Sequence, residues 1–263
     1  MTKTLSGKRA VITGSTTGIG MAVAQALAAE GCDIMLNGFG DQEKIEFFRI
    51  GLIGEYGIKA HYNEADLRNA KEAAGLIEDA RSRMGSVDIL VNNASLQQSR
   101  KIEELDAQSW QDIIAVNMSA PFHTIRASLP AMRAQNWGRI INVASVHGLV
   151  GRPRQSGLAA GNHGLIGLTK VVALETAAAN ITCNAICPGF ANTDSDAREI
   201  NAHAQRVGMN FEDAQDYLLR KRQPSKRLIE TEEVAAIVVN LCQETASGVT
   251  GTAIPVDGGW LAQ

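Results

Sequence analysis

Thr13-Gly14-Ser15-Thr16-Thr17-Gly18-Ile19-Gly20 is the stretch on which the architecture of this chain turns. It follows the short aliphatic run Arg9–Thr13 and leads straight into Met21–Glu30, where apolar residues recur at three- and four-residue spacing. A strand, a glycine-rich turn and a helix in that order suit a dinucleotide. The glycines permit a tight turn and a close backbone approach, and the helix N-terminal amides face negative charge. Gly14, Thr16, Thr17, Gly18, Ile19 and Gly20 are therefore expected to cradle a pyrophosphate.

The same alternation continues along the chain. Further strand-like runs lie at Asp33–Leu36, Ala60–Tyr62, Ile89–Asn92, Arg139–Ala144, Thr182–Ile186 and Thr252–Val256. Between them, helical patterns span Gly18–Glu30, Gln42–Tyr56, Ala70–Met84, Ala107–Arg133, Gly164–Ala178 and Thr231–Glu244. Thr231-Glu232-Glu233 reads as a capping hydroxyl with two acids in the first turn of the last helix. Strands separated by helices need parallel crossovers, and a parallel sheet is covered on both faces, which explains why these strands are apolar throughout. The expected fold class is α/β: one domain over residues 1–263, a doubly wound parallel sheet of about seven strands. Asn192–Arg227 breaks the rhythm, being polar and helical in pattern. Open α/β sheets bind ligands beyond the carboxyl ends of their strands, so this insertion is read as a substrate lid, or else as a surface helical pair without ligand contact.

Composition narrows the partners. The 263 residues are 45% hydrophobic and carry a formal net charge of -3 with no block of like charges, which leaves no electrostatic footprint for nucleic acid or an anionic membrane. A small molecule, or copies of the chain itself, fit better. Cys32, Cys183, Cys187 and Cys242 show no metal-ligand spacing and read as buried thiols in a reducing compartment, so no metal is expected. The segment Met1–Ser6 has no apolar core, and no stretch approaches a membrane span, so a soluble, cytoplasmic protein is expected.

The glycine motif, Asn92-Asn93-Ala94, Asn117, Ser145 and Pro188-Gly189 together resemble the short-chain dehydrogenase/reductase family, a Rossmann-type fold, over nearly the whole chain. Leu36-Asn37-Gly38-Phe39-Gly40, Asn184–Gly189 and Val256-Asp257-Gly258-Gly259-Trp260 are similar to bacterial 3-hydroxybutyrate dehydrogenases within it. The resemblance implies that Asp66, with Leu67, meets the adenine; that Asn92 and Ala94 line the ribose; and that Pro188, Gly189 and Thr193 sit near the nicotinamide. After the second strand, Asn37-Gly38-Phe39-Gly40-Asp41 offers no cation before Lys44 for a 2′-phosphate, which favours NAD over NADP. Phe39 either stacks beside the adenine or belongs to the core. Family members usually form tetramers, so a homotetramer, or a hetero-oligomer with a relative, is implied.

The catalytic end departs from the family. There, besides the asparagine matched by Asn117, a serine orients the substrate oxygen, a tyrosine passes the proton, and a lysine four residues on binds ribose and lowers the tyrosine's pKa. Ser145 is present, but Leu158 stands at the tyrosine position and Asn162 at the lysine position. The chain has no tyrosine between Tyr62 and Tyr217 and no lysine between Lys101 and Lys170, so no shift of register restores the pair. Leucine has no proton to transfer, and asparagine can bond a ribose hydroxyl but brings no charge. Ser95 replaces the usual glycine after Ala94 and points a side chain toward the nicotinamide. The substrate-carboxylate positions match Gln97, His147, Gln155 and Glu199, where a lysine has become Gln155 and a glutamine Glu199. That exchange is expected to repel a small carboxylate. His147 is the candidate for a surviving proton transfer, its titration lying near neutrality, or is a substrate hydrogen-bonder. His163 points about 100° away from Asn162, and Tyr217 lies on the lid. Three functions remain open: an NAD-binding protein with impaired redox chemistry, an oxidoreductase using His147 and Ser145, and a structural subunit pairing with an active relative.

Overall fold

The computed structural model describes residues 3–263. Its first half runs β1 (Arg9–Ile12), α1 (Gly18–Ala29), β2 (Asp33–Asn37), α2 (Gln42–Tyr56), β3 (Ala60–Asn63), α3 (Ala70–Met84), β4 (Ile89–Asn92). There follow α4 (Ala107–Ile114), α5 (Ala120–Ala134), β5 (Gly138–Val143), α6 (Ser156–Thr176) and β6 (Ile181–Pro188). The chain closes with α7 (Asp194–Val207), α8 (Phe211–Arg222), α9 (Thr231–Cys242) and β7 (Ala253–Val256). The strands form one seven-stranded sheet of order β3-β2-β1-β4-β5-β6-β7, all pairs parallel.

Period-two side chains feed two cores, one on each face. Ala10 and Ile12 of β1, Ile89 and Val91 of β4, and Ile141 of β5 join α1 and α9 in the first. Val11, Leu90 and Ile140, the intervening residues, join α3, α5 and α6 in the second. Both faces are thus plated with helices, as the unbroken apolar strands require. The order reverses between β1 and β4, and a crevice opens there at the strands' carboxyl ends.

Three local expectations need correction. Helix α6 starts at Ser156, about two turns before Gly164. Its opening glycines hid the pattern because they are contact points. A Cβ on Gly157 would lie 3.1 Å from Ile113, and one on Gly161 would lie 2.9 Å from the Asn117 Cβ. The expected helix over Ala107–Arg133 is α4 and α5 joined by a π-helical turn, Ala115–Ser119, which carries Asn117 inward. Glu230, not Thr231, is the N-cap of α9, and the Glu233 carboxylate accepts from the Glu230 N–H at 2.8 Å.

The insertion between β6 and α9 is a helical pair with its own small core: Phe190, Ile200, Ala204, Ala214, Leu218 and Leu219, with Trp260 against it. The four cysteines are buried free thiols. Among the described residues no helix is long and apolar enough to cross a membrane, and no side-chain cluster suits a metal ion.

Candidate nucleotide cleft and catalytic end

The crevice is a cleft of about 680 Å³ lined from the ends of β1 through β6 and by the start of α7. Gly14 and Gly18 take the left-handed conformations, φ 60° and 53°, that this turn requires. Buried Ser15 donates from Oγ to the Ile12 carbonyl at 2.8 Å, and Asn93 donates from Nδ2 to the Thr13 and Gly14 carbonyls at 3.0 and 2.9 Å. The loop is therefore set before any ligand arrives. Gly20 lies outside the cleft: a Cβ there would come within 2.2 Å of the Gly14 oxygen, so its role is to seat α1 against the loop.

A dinucleotide fits this end. Thr17 is the N-cap of helix α1 but its side chain makes no capping bond, the first turn holds no acid, and Thr17, Gly18 and Ile19 line the cleft. Its first-turn amides and dipole are therefore left for a pyrophosphate. Phe39 is 61% exposed on the cleft wall, which removes the core alternative. Asp66 and Leu67 line the same end. The Asp66 carboxylate, however, pairs with Arg68 at 2.5 Å, and that guanidinium holds its pKa below the usual carboxylate range. Thr16 accompanies Gly14 and Gly18 on the lining, with its Oγ1 donating to the Phe39 carbonyl at 2.8 Å.

Asn92 is a correction. Its side chain turns into the sheet, where Nδ2 donates to the Asn142 Oδ1 at 2.9 Å and Oδ1 accepts from the Thr124 hydroxyl at 2.7 Å. Asn142 in turn donates to the Thr169 hydroxyl at 2.8 Å. All four residues are buried, so Asn92 serves the frame, while Ala94 alone of the expected ribose pair lines the cleft.

At the catalytic end Ser145, Leu158, Pro188, Gly189, Thr193 and Gln97 face the cleft, with Ser95 beside them. Leu158 presents hydrocarbon. Asn162, one turn on and 3% exposed, donates from Nδ2 to the Leu158 carbonyl at 2.8 Å, so its amide turns into its own helix and away from a ribose. Asn117 is also engaged: it accepts from the Leu96 N–H at 2.8 Å and donates to the Leu96 carbonyl at 2.9 Å, tying the loop after β4 to the π turn.

Two expectations at this end fail on electrostatics. His147 is 5% exposed, lies edge-on to Trp260 with ring centres 5.4 Å apart, and is outside the cleft lining. Burial, reinforced by Arg152 and Arg222, pushes its pKa down to about 3, so it stays neutral and is no relay near pH 7. Glu199 does not confront a ligand with bare negative charge, because it ion-pairs with Arg152. Arg222, with its guanidinium 5.7 Å from the Trp260 ring centre, adds a further positive charge under the lid. Gln155 is buried outside the cleft lining, with Oε1 unpartnered. Of the remaining candidates, Tyr217 on the lid stacks on His203 at 5.6 Å, and the His163 ring on α6 bonds back to the Ala159 carbonyl at 2.9 Å.

Sequence reasoning overlooked Asn93, Arg68, Arg152, Arg222 and Asp196. Asn93 lies within the Asn92-Asn93-Ala94 motif, a local signal that could have marked it as the loop's anchor. Arg68 pairs with Asp66 two residues away and was within reach of a local reading, whereas Arg152 and Arg222 act on Glu199 and Trp260 across long sequence separations that leave no local signal.

The short chain dehydrogenase family model matches residues 8–204. The chain is 44% identical to a D-beta-hydroxybutyrate dehydrogenase of Cupriavidus necator, over 98% of this chain and 100% of that protein. A second D-beta-hydroxybutyrate dehydrogenase, from Rhizobium meliloti, is 43% identical over 97% of this chain and 99% of its own length. Among solved structures, the L-sorbose reductase of Gluconobacter frateurii, complexed with NADPH and L-sorbose, superposes with a TM-score of 0.93 at 30% identity, covering 100% of both chains. Strand order, glycine loop and family match agree: this chain belongs to the short-chain dehydrogenase family.

Proposed function

We propose that this protein binds NAD in its glycine-lined cleft but lacks the proton relay of its relatives, so that carbonyl–alcohol redox chemistry proceeds slowly. The observation that carries this reading is the pair at the catalytic end: Leu158 presents hydrocarbon to the cleft, and Asn162 is bonded into its own helix. When bound, the dinucleotide supplies the hydride donor or acceptor. The glycine loop and the first turn of α1 hold its pyrophosphate, the Ser145 hydroxyl orients a substrate oxygen, and Leu158 keeps water from that oxygen. General acid–base help is worth about 10²–10⁴ in rate, which sets the expected deficit. The cations lining the cleft are Arg68 and Arg198, and Arg68 is committed to Asp66, which favours NAD over the 2′-phosphorylated form.

Calorimetric titration with NADH and NADPH, followed by NADH production from D-3-hydroxybutyrate, tests this reading. It expects NADH to bind in the micromolar range and more tightly than NADPH, with turnover well below that of the named relatives. Turnover at ordinary enzyme rates would refute the impaired chemistry, and absence of NADH binding would refute the site.

A second feature supports self-association. A groove between α5 and α6 is lined by Phe122, Leu129, Leu168 and Val171, with Arg126 and Glu175 at hand to pair across a two-fold axis. A second copy of this chain is the proposed occupant, and sedimentation velocity on Phe122→Glu is the check: the variant is expected to dissociate.

A further inference from the structure

Without the tyrosine hydroxyl, the slow residual chemistry proposed above takes its proton carrier from another group on the cleft wall. Five charged side chains line it. Asp66 and Arg68 pair with each other at the adenine end, and Asp194 and Arg198 stand exposed on α7. Asp196 is different. It is the third residue of α7 and only partly exposed, and the neighbouring Ser195 accepts from Gln97 Nε2 at 2.9 Å, so this turn of the lid sits against the loop that leaves β4.

The two carboxylate oxygens of Asp196 are not equivalent. Oδ2 accepts from the Ala191 N–H at 3.1 Å and from the Thr193 hydroxyl at 2.9 Å, while the Asp196 N–H donates back to Thr193 Oγ1 at 3.1 Å. This reciprocal cap fixes the orientation of the group. Oδ1 makes no hydrogen bond within the described residues. A cap needs one oxygen; the other is spare and belongs to a residue on the cleft wall. Burial raises the pKa to about 6, with Glu199 adding to the rise, while the Thr193 and Ala191 hydrogen bonds and Arg152 oppose it. The charged groups that bear on it are thus Glu199 from its own helix and Arg152 from the β5–α6 connection, with Arg222 of α8 behind them. A carboxyl that changes state near the working pH is suited to proton exchange.

We propose that Asp196 is the proton-exchanging residue of this cleft, accepting at Oδ1 the hydroxyl proton of a secondary alcohol held beside Ser145 and returning it in the reverse direction. The inference rests on the reading that the cleft binds a nicotinamide dinucleotide. In the forward direction the O–H bond breaks and its proton passes to Asp196. The C–H electron pair leaves as hydride to the dinucleotide, which is the oxidant, and the carbonyl bond forms. Asp196 then releases the proton to water. The alcohol is oxidised and the dinucleotide reduced by the same two electrons.

The test compares the full chain with Asp196→Asn, which keeps an oxygen for the cap, and with Asp196→Glu, which keeps the carboxyl. NADH binding is followed by fluorescence, and the Asp196 carboxyl is titrated by ¹³C NMR. NADH formation from D-3-hydroxybutyrate and from butan-2-ol is measured at stoichiometric enzyme across the acidic and neutral range. The expected result is a carboxyl titrating near pH 6, with oxidation rising through the same pH as the base form appears. Asp196→Asn should bind NADH like the parent but lose roughly 10²-fold in rate together with the inflection, and Asp196→Glu should retain the inflection. Unchanged rate and inflection in Asp196→Asn would overturn the proposal. So would a carboxyl that titrates in the ordinary range, or a bound dinucleotide that yields no NADH from either alcohol. A parent chain that fails to bind NADH would instead remove the functional reading beneath it.

Discussion

Rebuilding the relay by the paired change Leu158→Tyr and Asn162→Lys asks whether two side chains account for the slow chemistry proposed above. Leu158 lines the cleft, so a phenol there points its hydroxyl at the space Ser145 faces. Its pKa is about 10 without help, so Leu158→Tyr alone gains little. The lysine one turn on supplies the lowering charge. Recovery of general acid–base catalysis is worth about 10²–10⁴ in rate, or roughly 3–5 kcal/mol of barrier at 1.36 kcal/mol per decade. There is a stability cost. Asn162 loses its 2.8 Å bond to the Leu158 carbonyl, about 0.5–1.5 kcal/mol, which lowers Tm by about 1–6 °C in a domain of this size. Single-turnover NADH formation from D-3-hydroxybutyrate, with NADH affinity and melting measured in parallel, reads both quantities. If the double variant folds and binds NADH yet reacts no faster than its parent, the reasoning that blames Leu158 and Asn162 is wrong.

Three further outcomes are expected. Asn142→Ala strands the Asn92 Nδ2 donor in the sheet and leaves a small cavity, so denaturant unfolding should show a loss of about 2–4 kcal/mol, against a smaller loss for Thr169→Val; a cost within error of zero would mean that the buried chain of amides carries no stability. Gly20→Ala drives a Cβ within 2.2 Å of the Gly14 oxygen and 2.4 Å of the Asn93 amide, and it should weaken NADH binding at least tenfold, on the order of 1.4 kcal/mol, with helical content retained; unchanged affinity would dissociate the loop from the ligand. His147 titrates at about 3 when folded against 6.5 when free, so the unfolded chain takes up a proton that the folded chain refuses, and stability falls as pH drops from 6.5 toward 3. His147→Gln should flatten that acid limb in melting temperatures, and superimposable limbs would refute the buried neutral histidine.

The fold was legible because each signal was local. A glycine turn between an aliphatic run and an amphipathic helix is written in consecutive residues, and the remaining strands declare themselves by two-sided burial. The start of α6 was obscured because Gly157 and Gly161, the residues that let it press on Ile113 and Asn117, have no side chains to carry a period. The lid was legible as polar helices, but its inner surface was not. Whether Glu199 repels a ligand depends on Arg152, 47 positions away, and His147's titration depends on burial against Trp260 and on the nearby charges of Arg152 and Arg222. Asn92 misled for a related reason: its motif marks the strand end, while the pleat alone decides which of two adjacent asparagines turns inward.

The Thr124–Asn92–Asn142–Thr169 chain binds α5, β4, β5 and α6 to one another without touching the cleft. Rigidity in this molecule is thereby stored in a place separate from its reactive surface. A lineage carrying such a chassis can shed or exchange its chemistry while its shape persists, because nothing at position 158 or 162 is asked to hold the sheet together. The same separation makes the protein a ready host for transplanted catalytic groups, since a new side chain on the cleft wall meets a frame already braced against it.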